Sequence, residues 1–444
     1  MMNKTSYFLL PGLILLLFSC SGGGSSSAEQ RIPQPRTTVW EEVLSDPMKA
    51  RGQDNLYDFS PKQSTPAPKG YEATYISHYG RHGSRFAYSA KVYSVILDML
   101  QEALEEDNIT PRGEILLGQL QKLWEEGRYQ VGDLTPLGWK QHVEIARTMA
   151  ESFPAAFVEG SKVDACSSPA NRAMVSMTAF LTSLSRVAPK TEIYAHQSIM
   201  DTQATRPNLG PNPFRFKGPD IPFPYPESNE EFLMRKYPDC ASSLGTLFKD
   251  PIAAIGERDT YKTLFYYYLL VCGTVSLPDD IHTDVDDLLT PEQAALLWEV
   301  FNLESFREYY AYLTSCSSVL QDMIEKADAR LECGSRGADL RFGHDHVVLP
   351  LLMIMDLDGF GHFPSTVDEL PLWFQNFRSV MGANIQMVFY TPKSGREGVT
   401  LVKFLVNGEE ALLGNVPPAS GPYYYWDEAR EWMTSRIDSF VTEE

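Results

Sequence analysis

Apolar positions recur along this chain with two periods, and the places where the period changes predict its elements. Tyr71-Glu72-Ala73-Thr74-Tyr75-Ile76, rich in β-branched and aromatic residues, reads as a strand. Val92, Val95, Ile96, Met99, Leu100, Ala103 and Leu104 then fall on one helical face, and a second amphipathic run covers Ile115 to Trp124. Thr135 followed by Pro136 is a helix N-cap followed by a first-turn proline, and the helix continues through Ile145, Ala146 and Met149. Val163 to Cys166 forms a short strand, after which Ser168-Pro169 reads as a second cap-and-start pair for a helix through Met174, Phe180 and Leu184. Proline and glycine crowd Thr205 to Pro226, an irregular loop, and helical runs follow from Glu230 to Ala329. Sheet structure resumes at Ala338 to Gly343, followed by an apolar helix from Val347 to Met355. Asn384–Tyr390 and Val399–Val406 pair as a hairpin, and Trp426 to Phe440 closes the chain as an amphipathic helix. Strands alternating with helices predict an α/β fold with no internal repeat.

The 444 residues, 43% hydrophobic, suffice for one large domain or two ordinary ones. Lys4 precedes an apolar run, Tyr7 to Phe18, too short for a membrane span, which ends in Leu17-Phe18-Ser19-Cys20 and a Ser/Gly-rich stretch. This resembles the lipobox of bacterial lipoproteins, which implies a signal peptide over 1–19, lipid on Cys20 and a tether over 20–37. Phe18 is less usual in that box, and simple secretion is the alternative; either way the mature chain lies outside the cytoplasm, in the bacterial cell envelope. The organisation expected is α/β core over 38–195 with some cap helices, a helical insertion over 196–334, and core again over 335–444. With 38 basic against 58 acidic residues, a formal net charge of −20, nucleic acid and anionic membrane surfaces are excluded as general partners. The membrane is met only through the lipid anchor, and a monomer is expected. A small anionic substrate remains compatible, because a pocket can be locally positive. Cys166, Cys240, Cys272, Cys316 and Cys333 allow at most two disulfides, and no CxxC pair suggests a zinc-thiolate site.

Three predicted strand ends carry chemistry. The first is Arg81-His82-Gly83-Ser84-Arg85, with permanently charged forks suited to phosphate oxygens around a histidine that can act as a nucleophile. Taken alone it reads as a basic surface turn. Arg172 falls in the first turn of the helix after Cys166, where backbone N–H groups favour an anion and a lone cation is misplaced. His344-Asp345 follows the later strand, with His346 and His362 as the further ligands of a weaker metal alternative. Ligands of α/β sheets bind outside the carboxyl ends of strands, so all three loops can meet in one pocket. His142, inside a helix, reads as a packing residue.

In family order, Arg81-His82-Gly83-Ser84-Arg85, Leu134-Thr135-Pro136-Leu137-Gly138-Trp139-Lys140-Gln141, Ser167 to Arg172 and His344-Asp345 resemble the signature of the histidine acid phosphatases, clade two of the histidine phosphatase superfamily. The second motif, with Gln141-His142 and Ile145-Ala146, is similar to bacterial members of the multiple inositol polyphosphate phosphatases. Two departures stand out: Ala87 replaces a frequent proline, and His344-Asp345-His346 replaces the His-Ala-Glu typical of that group. The resemblance implies a phosphoglycerate-mutase-like three-layer α/β/α sandwich with a mostly helical inserted cap. It also implies an acid phosphomonoesterase without metal or cofactor, acting through a phosphohistidine on a small phosphorylated substrate, phytate or another inositol polyphosphate first. A broad-specificity or sugar-phosphate phosphatase comes second, and a non-catalytic phospholigand-binding lipoprotein is a distant third. His82 would be the nucleophile and Asp345 the proton donor. Arg81, Arg85, Arg172 and His344 would hold the phosphoryl oxygens, a protonated His344 favouring acid pH. Lys91, Arg215 and Lys217 would offer further substrate contacts.

Overall fold

The computed structural model describes residues 33–208, 222–281, 283–393 and 398–441. Residues 1–19, the tether before Pro33, Cys20, Arg215 and Lys217 therefore lie outside the described residues.

Eight strands form one mixed sheet: β1 (Tyr71–Arg81), β2 (Lys162–Ser167), β3 (Glu192–His196), β4 (Gly337–Gly343), β5 (Asn384–Pro392), β6 (Leu401–Val406), β7 (Glu409–Ala411) and β8 (Tyr424–Tyr425). Their order is β3-β2-β4-β1-β5-β6-β7, with β8 paired to β6. The first four neighbours run parallel, and β5 turns the remainder antiparallel, β5 and β6 pairing as the expected hairpin. The register aligns the carboxyl ends that matter: Arg81 pairs with Gly343, and Ser167 with Phe342. His82, Ser168 and His344, the next residue of each strand, consequently emerge side by side at one sheet edge.

The helices, in chain order, are α1 (Val39–Ser45), α2 (Lys91–Glu105), α3 (Pro111–Gly127), α4 (Pro136–Ser152), α5 (Asn171–Val187), α6 (Thr202–Thr205), α7 (Asn229–Lys236), α8 (Pro251–Ile255), α9 (Thr260–Gly273), α10 (Pro291–Tyr310), α11 (Leu313–Glu332), α12 (Asp345–Met355) and α13 (Trp426–Phe440). One sheet face buries Ile76, Val163, Leu340, Phe342 and Val388 against Ile145 and Met149 of α4 and Phe180 and Leu184 of α5. The other buries Tyr75, Tyr79, Met387 and Phe389 in a larger core with α11, α12 and α13. Each such side chain contributes about 2 kcal/mol by leaving water. The result is the expected α/β/α sandwich. Beyond the strand ends, α2, α3 and α9 pack together while α10 packs on α1, α7 and α12. The helical stretch of 196–334 is thus shared between the two surroundings, its last helix, α11, lying on β1, α12 and α13.

Three local expectations change. β1 runs on past Ile76 to Arg81, because β4 and β5 pair with it on both sides as far as Gly80. β3 was not expected: its side chains are mostly exposed, and pairing with β2 at the sheet edge makes it a strand. α5 starts at Asn171 with Ala170 as an N-cap lacking a side-chain bond, not at Ser168-Pro169, because the Ser168 hydroxyl is used elsewhere. Among the described residues Cys166, Cys240, Cys272 and Cys316 are buried free thiols and Cys333 an exposed one, so none is in a disulfide. No described helix is long and apolar enough to cross a membrane.

Candidate active site

The loop after β1 is clamped from above by the start of α4. Thr135 caps this helix by accepting the Gly138 N–H, and its own N–H and hydroxyl both donate to the Ser84 carbonyl. Gln141, one turn on, accepts the Ser84 N–H at 2.8 Å. Loop and helix touch backbone to backbone: a Cβ on Gly138 would sit 2.3 Å from the Ser84 oxygen, and one on Gly83 would sit 2.6 Å from the Gly138 oxygen. Threonine, glycine and glutamine at this spacing are what such a clamp requires.

Within the clamped loop His82 is buried, and its Nδ1 lies 2.9 Å from the Gly83 carbonyl oxygen. A carbonyl only accepts, so Nδ1 carries the proton and Nε2 the lone pair. Burial, then Arg172, Arg81, His344 and Arg85, hold the ring far below the usual histidine pKa and hence neutral. Its ring centroid is 5.4 Å from that of His344, edge-on. His344 is the N-cap residue of α12, its N–H donating to the Tyr79 hydroxyl at 3.1 Å. Its Nδ1 accepts from Arg172 at 3.4 Å, which leaves Nε2–H to donate to the Ser168 hydroxyl at 2.8 Å. Burial, followed by Arg206 and Arg172, depresses its pKa well below the ordinary value. Burial first, and then these two cations, therefore work against the protonated His344 expected from the sequence.

The arginines differ in how they are held. Arg81 is fully buried; one guanidinium nitrogen donates to the Gln53 and Ser379 carbonyls, and the other meets Asp345 Oδ2 at 3.0 Å. Arg85 donates to the Phe86 carbonyl and faces Asp54 at 3.8 Å. Arg172 occupies the second position of α5, where the helix dipole opposes its charge. Burial and then Arg85 push its pKa down to about 10. Arg81, Arg85, Arg172 and Arg206 each have a buried Nε with no partner among the described residues. Unsatisfied buried donors are costly, and the lowered Arg172 pKa shows a charge held out of water beside another cation. An anion would relieve both.

Asp345, first residue of α12, accepts its neighbour His346's backbone N–H at 3.0 Å as well as Arg81. Burial raises its pKa, but Arg81, then His346, His82 and Arg85 outweigh this and hold it well below the carboxylate range. Before an anion binds it is a carboxylate.

His82, Arg85, Arg172 and Asp345 line a cavity of about 420 Å³. Arg81 stands behind Asp345 and His82, outside this lining, and His344 stands behind Arg172 and Ser168. Lys91, at the start of α2, is exposed and is not among the lining residues, so the expected contact is not placed there. Arg206, Tyr88, Glu304, Glu308 and Tyr309 line the cavity but are not singled out from the sequence as site residues, and His346, weighed there only as a metal ligand, lines it too. A cation in a proline-rich stretch was the only signal Arg206 offered. His346 pairs with Glu308 at 3.1 Å, and His362 stacks on Trp373 at 4.1 Å between ring centroids, so the donors of the metal alternative are engaged apart from one another. His142 is buried edge-on against Phe342 and pushed down to about pKa 3 mainly by burial, a packing residue.

No family model matches the chain, and no curated protein does. Solved structures do. A multiple inositol polyphosphate phosphatase of Bifidobacterium longum, solved with inositol hexasulfate, superimposes with a TM-score of 0.66 at 16% identity, covering 88% of this chain and 98% of that one. A phytase of D. castellii does so with a TM-score of 0.60 at 12% identity, over 93% of this chain and 90% of the other. A Hafnia alvei phytase gives 0.51 at 12% identity, over 85% and 100%. The chain has the fold of these phosphatases. At such identities the likeness speaks for the fold alone, and the chemistry has to be argued from the site.

Proposed function

We propose that the chain is a metal-independent acid phosphomonoesterase working through a phosphohistidine at His82, with inositol polyphosphates such as phytate as substrates. The observation that carries this is the state of His82: a neutral ring with its Nδ1 proton committed to the Gly83 carbonyl, its Nε2 lone pair free, and arginines with unpartnered donors around it. Nε2 attacks phosphorus, the phosphorus–oxygen bond to the alcohol breaks, and the departing oxygen takes a proton from Asp345. Water then attacks phosphorus and gives its proton to Asp345, an oxygen–phosphorus bond forms as the phosphorus–nitrogen bond breaks, and phosphate leaves with His82 restored. Arg85, Arg172 and Arg206 face the phosphoryl oxygens, with Arg81 and His344 supporting from behind, and preorganised charge of this kind lowers the barrier. The arginines supply the positive charge that a metal would otherwise bring.

A resting Asp345 carboxylate cannot donate. A phosphate dianion settling among the arginines cancels the field that depresses its pKa, so substrate binding and Asp345 protonation are coupled, and acid pH favours both. The phytate-like substrate class draws support from the neighbours, two of which were solved with sulfated inositol analogues. A lipid anchor at Cys20 and a monomeric state in the cell envelope complete the proposal. It is tested by replacing His82 with Ala and assaying phytate and p-nitrophenyl phosphate at several pH values with a chelator present. Turnover by the wild type and its loss in the variant support the assignment; near-normal turnover in the variant rejects it.

A further inference from the structure

Beside the arginines, the cavity is lined by α10, which contributes Glu304 and Glu308. Four residues apart on a helix, the two carboxylates share a face and line the same cavity as Arg85, Arg172 and Arg206. They are not equivalent. Glu308 has His346 Nε2 as a partner at 3.1 Å. Glu304 accepts the Tyr261 hydroxyl, and no described cation pairs with it; Arg307, beside it in sequence, turns away to Asn229 and the Glu227 carbonyl. An uncompensated carboxyl in a pocket whose floor is built for an anion discriminates between substrates rather than holding them.

We propose that Glu304 sets substrate choice in the outer half of the pocket: ionised, it repels a second phosphate and accepts hydrogen bonds from substrate hydroxyls; protonated, it admits a multiply phosphorylated ring. This rests on the phosphomonoesterase assignment above and adds a selection by pH that the phosphate-holding residues do not provide. Burial, with Glu308 adding to it and Arg307 opposing, raises the Glu304 carboxyl to about 7. The groups acting on it are Glu308 on α10, Tyr261 from α9, Tyr88 from the loop before α2 and, from a distance, the Arg307 charge on α10. Arg85, Arg172, Arg206, Asp54 and Asp345 line the same cavity. Tyr88, pushed up to about 12 mainly by burial, stays neutral throughout.

The test is kcat/KM for inositol hexakisphosphate and for an inositol monophosphate, in the wild type and in Glu304→Gln, from about pH 5 to about pH 8. Glutamine keeps an oxygen for the Tyr261 hydroxyl, and thermal unfolding checks that the variant is folded. The quantity read is the ratio of the two substrates compared between proteins, because the hexakisphosphate titrates as well. Near pH 5 the ratios agree; near pH 8 the variant's is about tenfold higher, the size of one like-charge contact a few ångströms away in a partly solvated site. Ratios that superimpose across the range, with both substrates turned over, overturn the role of Glu304 while leaving the phosphatase assignment standing. No turnover of either substrate by the wild type overturns both.

Discussion

Replacing Asp345 with Asn separates two contributions that this carboxylate makes. Its Oδ2 lies 3.0 Å from Arg81, with 10% of the aspartate and none of the arginine side chain exposed. Removing one partner of a buried pair costs roughly 3–5 kcal/mol, because the other charge stays buried without compensation. The Gln53 and Ser379 carbonyls still hold Arg81, so the lower end, about 3 kcal/mol, is expected in urea unfolding at neutral pH. The sign with pH follows from the depressed pKa. Ionised Asp345 stabilises the fold above the ordinary carboxylate value of 3.8 and loses that contribution as pH falls below it towards the folded-state value. The variant lacks this acid-side loss. It also leaves the arginines with less opposing charge, so inorganic phosphate should raise its melting temperature more than that of the wild type. In catalysis, loss of the general acid costs about 10²–10⁴ in rate on an alkyl phosphate and far less on p-nitrophenyl phosphate, whose leaving group needs no proton. Steady-state kinetics on both esters reads this directly. Equal losses on the two, together with equal stabilisation by phosphate, would refute both the acid role and the electrostatic one.

Other outcomes follow from the same geometry. Gly138→Ala places a methyl against the Ser84 backbone, and should lower kcat at least tenfold while circular dichroism shows the helices intact; unchanged kcat would mean that the clamp does not position His82. Arg172→Ala should raise the inhibition constant of inorganic phosphate by one to two orders of magnitude, about 1.5–3 kcal/mol for a charged hydrogen bond, measured by competition. His142, held neutral with a folded pKa of about 3 against an ordinary 6.5, costs stability as pH falls below 6.5. His142→Leu should therefore lose about 3 kcal/mol less than the wild type between pH 7 and pH 4 by urea unfolding, and parallel losses would show that the ring is already charged in the fold. Cys20→Ala should abolish labelling by a radioactive fatty acid and release the protein from membranes; persistent labelling would reject the anchor.

Much of the sheet was legible because its strands stop at residues that announce chemistry. Arg81-His82-Gly83, Ser167 to Arg172 and His344-Asp345 each follow a run of strand-forming residues, and parallel pairing then has to bring their carboxyl ends together. The extension of β1 was hidden because His78 and Arg81 are polar. Their burial depends on Phe180 and Phe342 around His78, and on the carbonyls of Gln53 and Ser379 around Arg81, which are remote in sequence. The edge strand β3 carries Tyr194 outward, 57% exposed, and so lacks a buried face to signal it. Ser168 read as a helix cap because local spacing cannot reveal that its hydroxyl meets His344, a contact 176 residues away. Glu304 and Arg206 were equally out of reach, since only packing of α10 and of the segment after β3 above the strand ends gives them a common cavity.

The phosphorylated enzyme tests the central claim most directly. Asp345→Asn is mixed with a radiolabelled phosphate ester of a good leaving group and quenched in base, where phosphohistidine survives, and the labelled peptide is mapped. Phosphorus on Nε2 of His82, accumulating because the substituted amide cannot deprotonate the attacking water, and its absence from a His82→Ala control, is the predicted result. Label on any other residue, or turnover without a labelled intermediate while His82→Ala stays active, would contradict it.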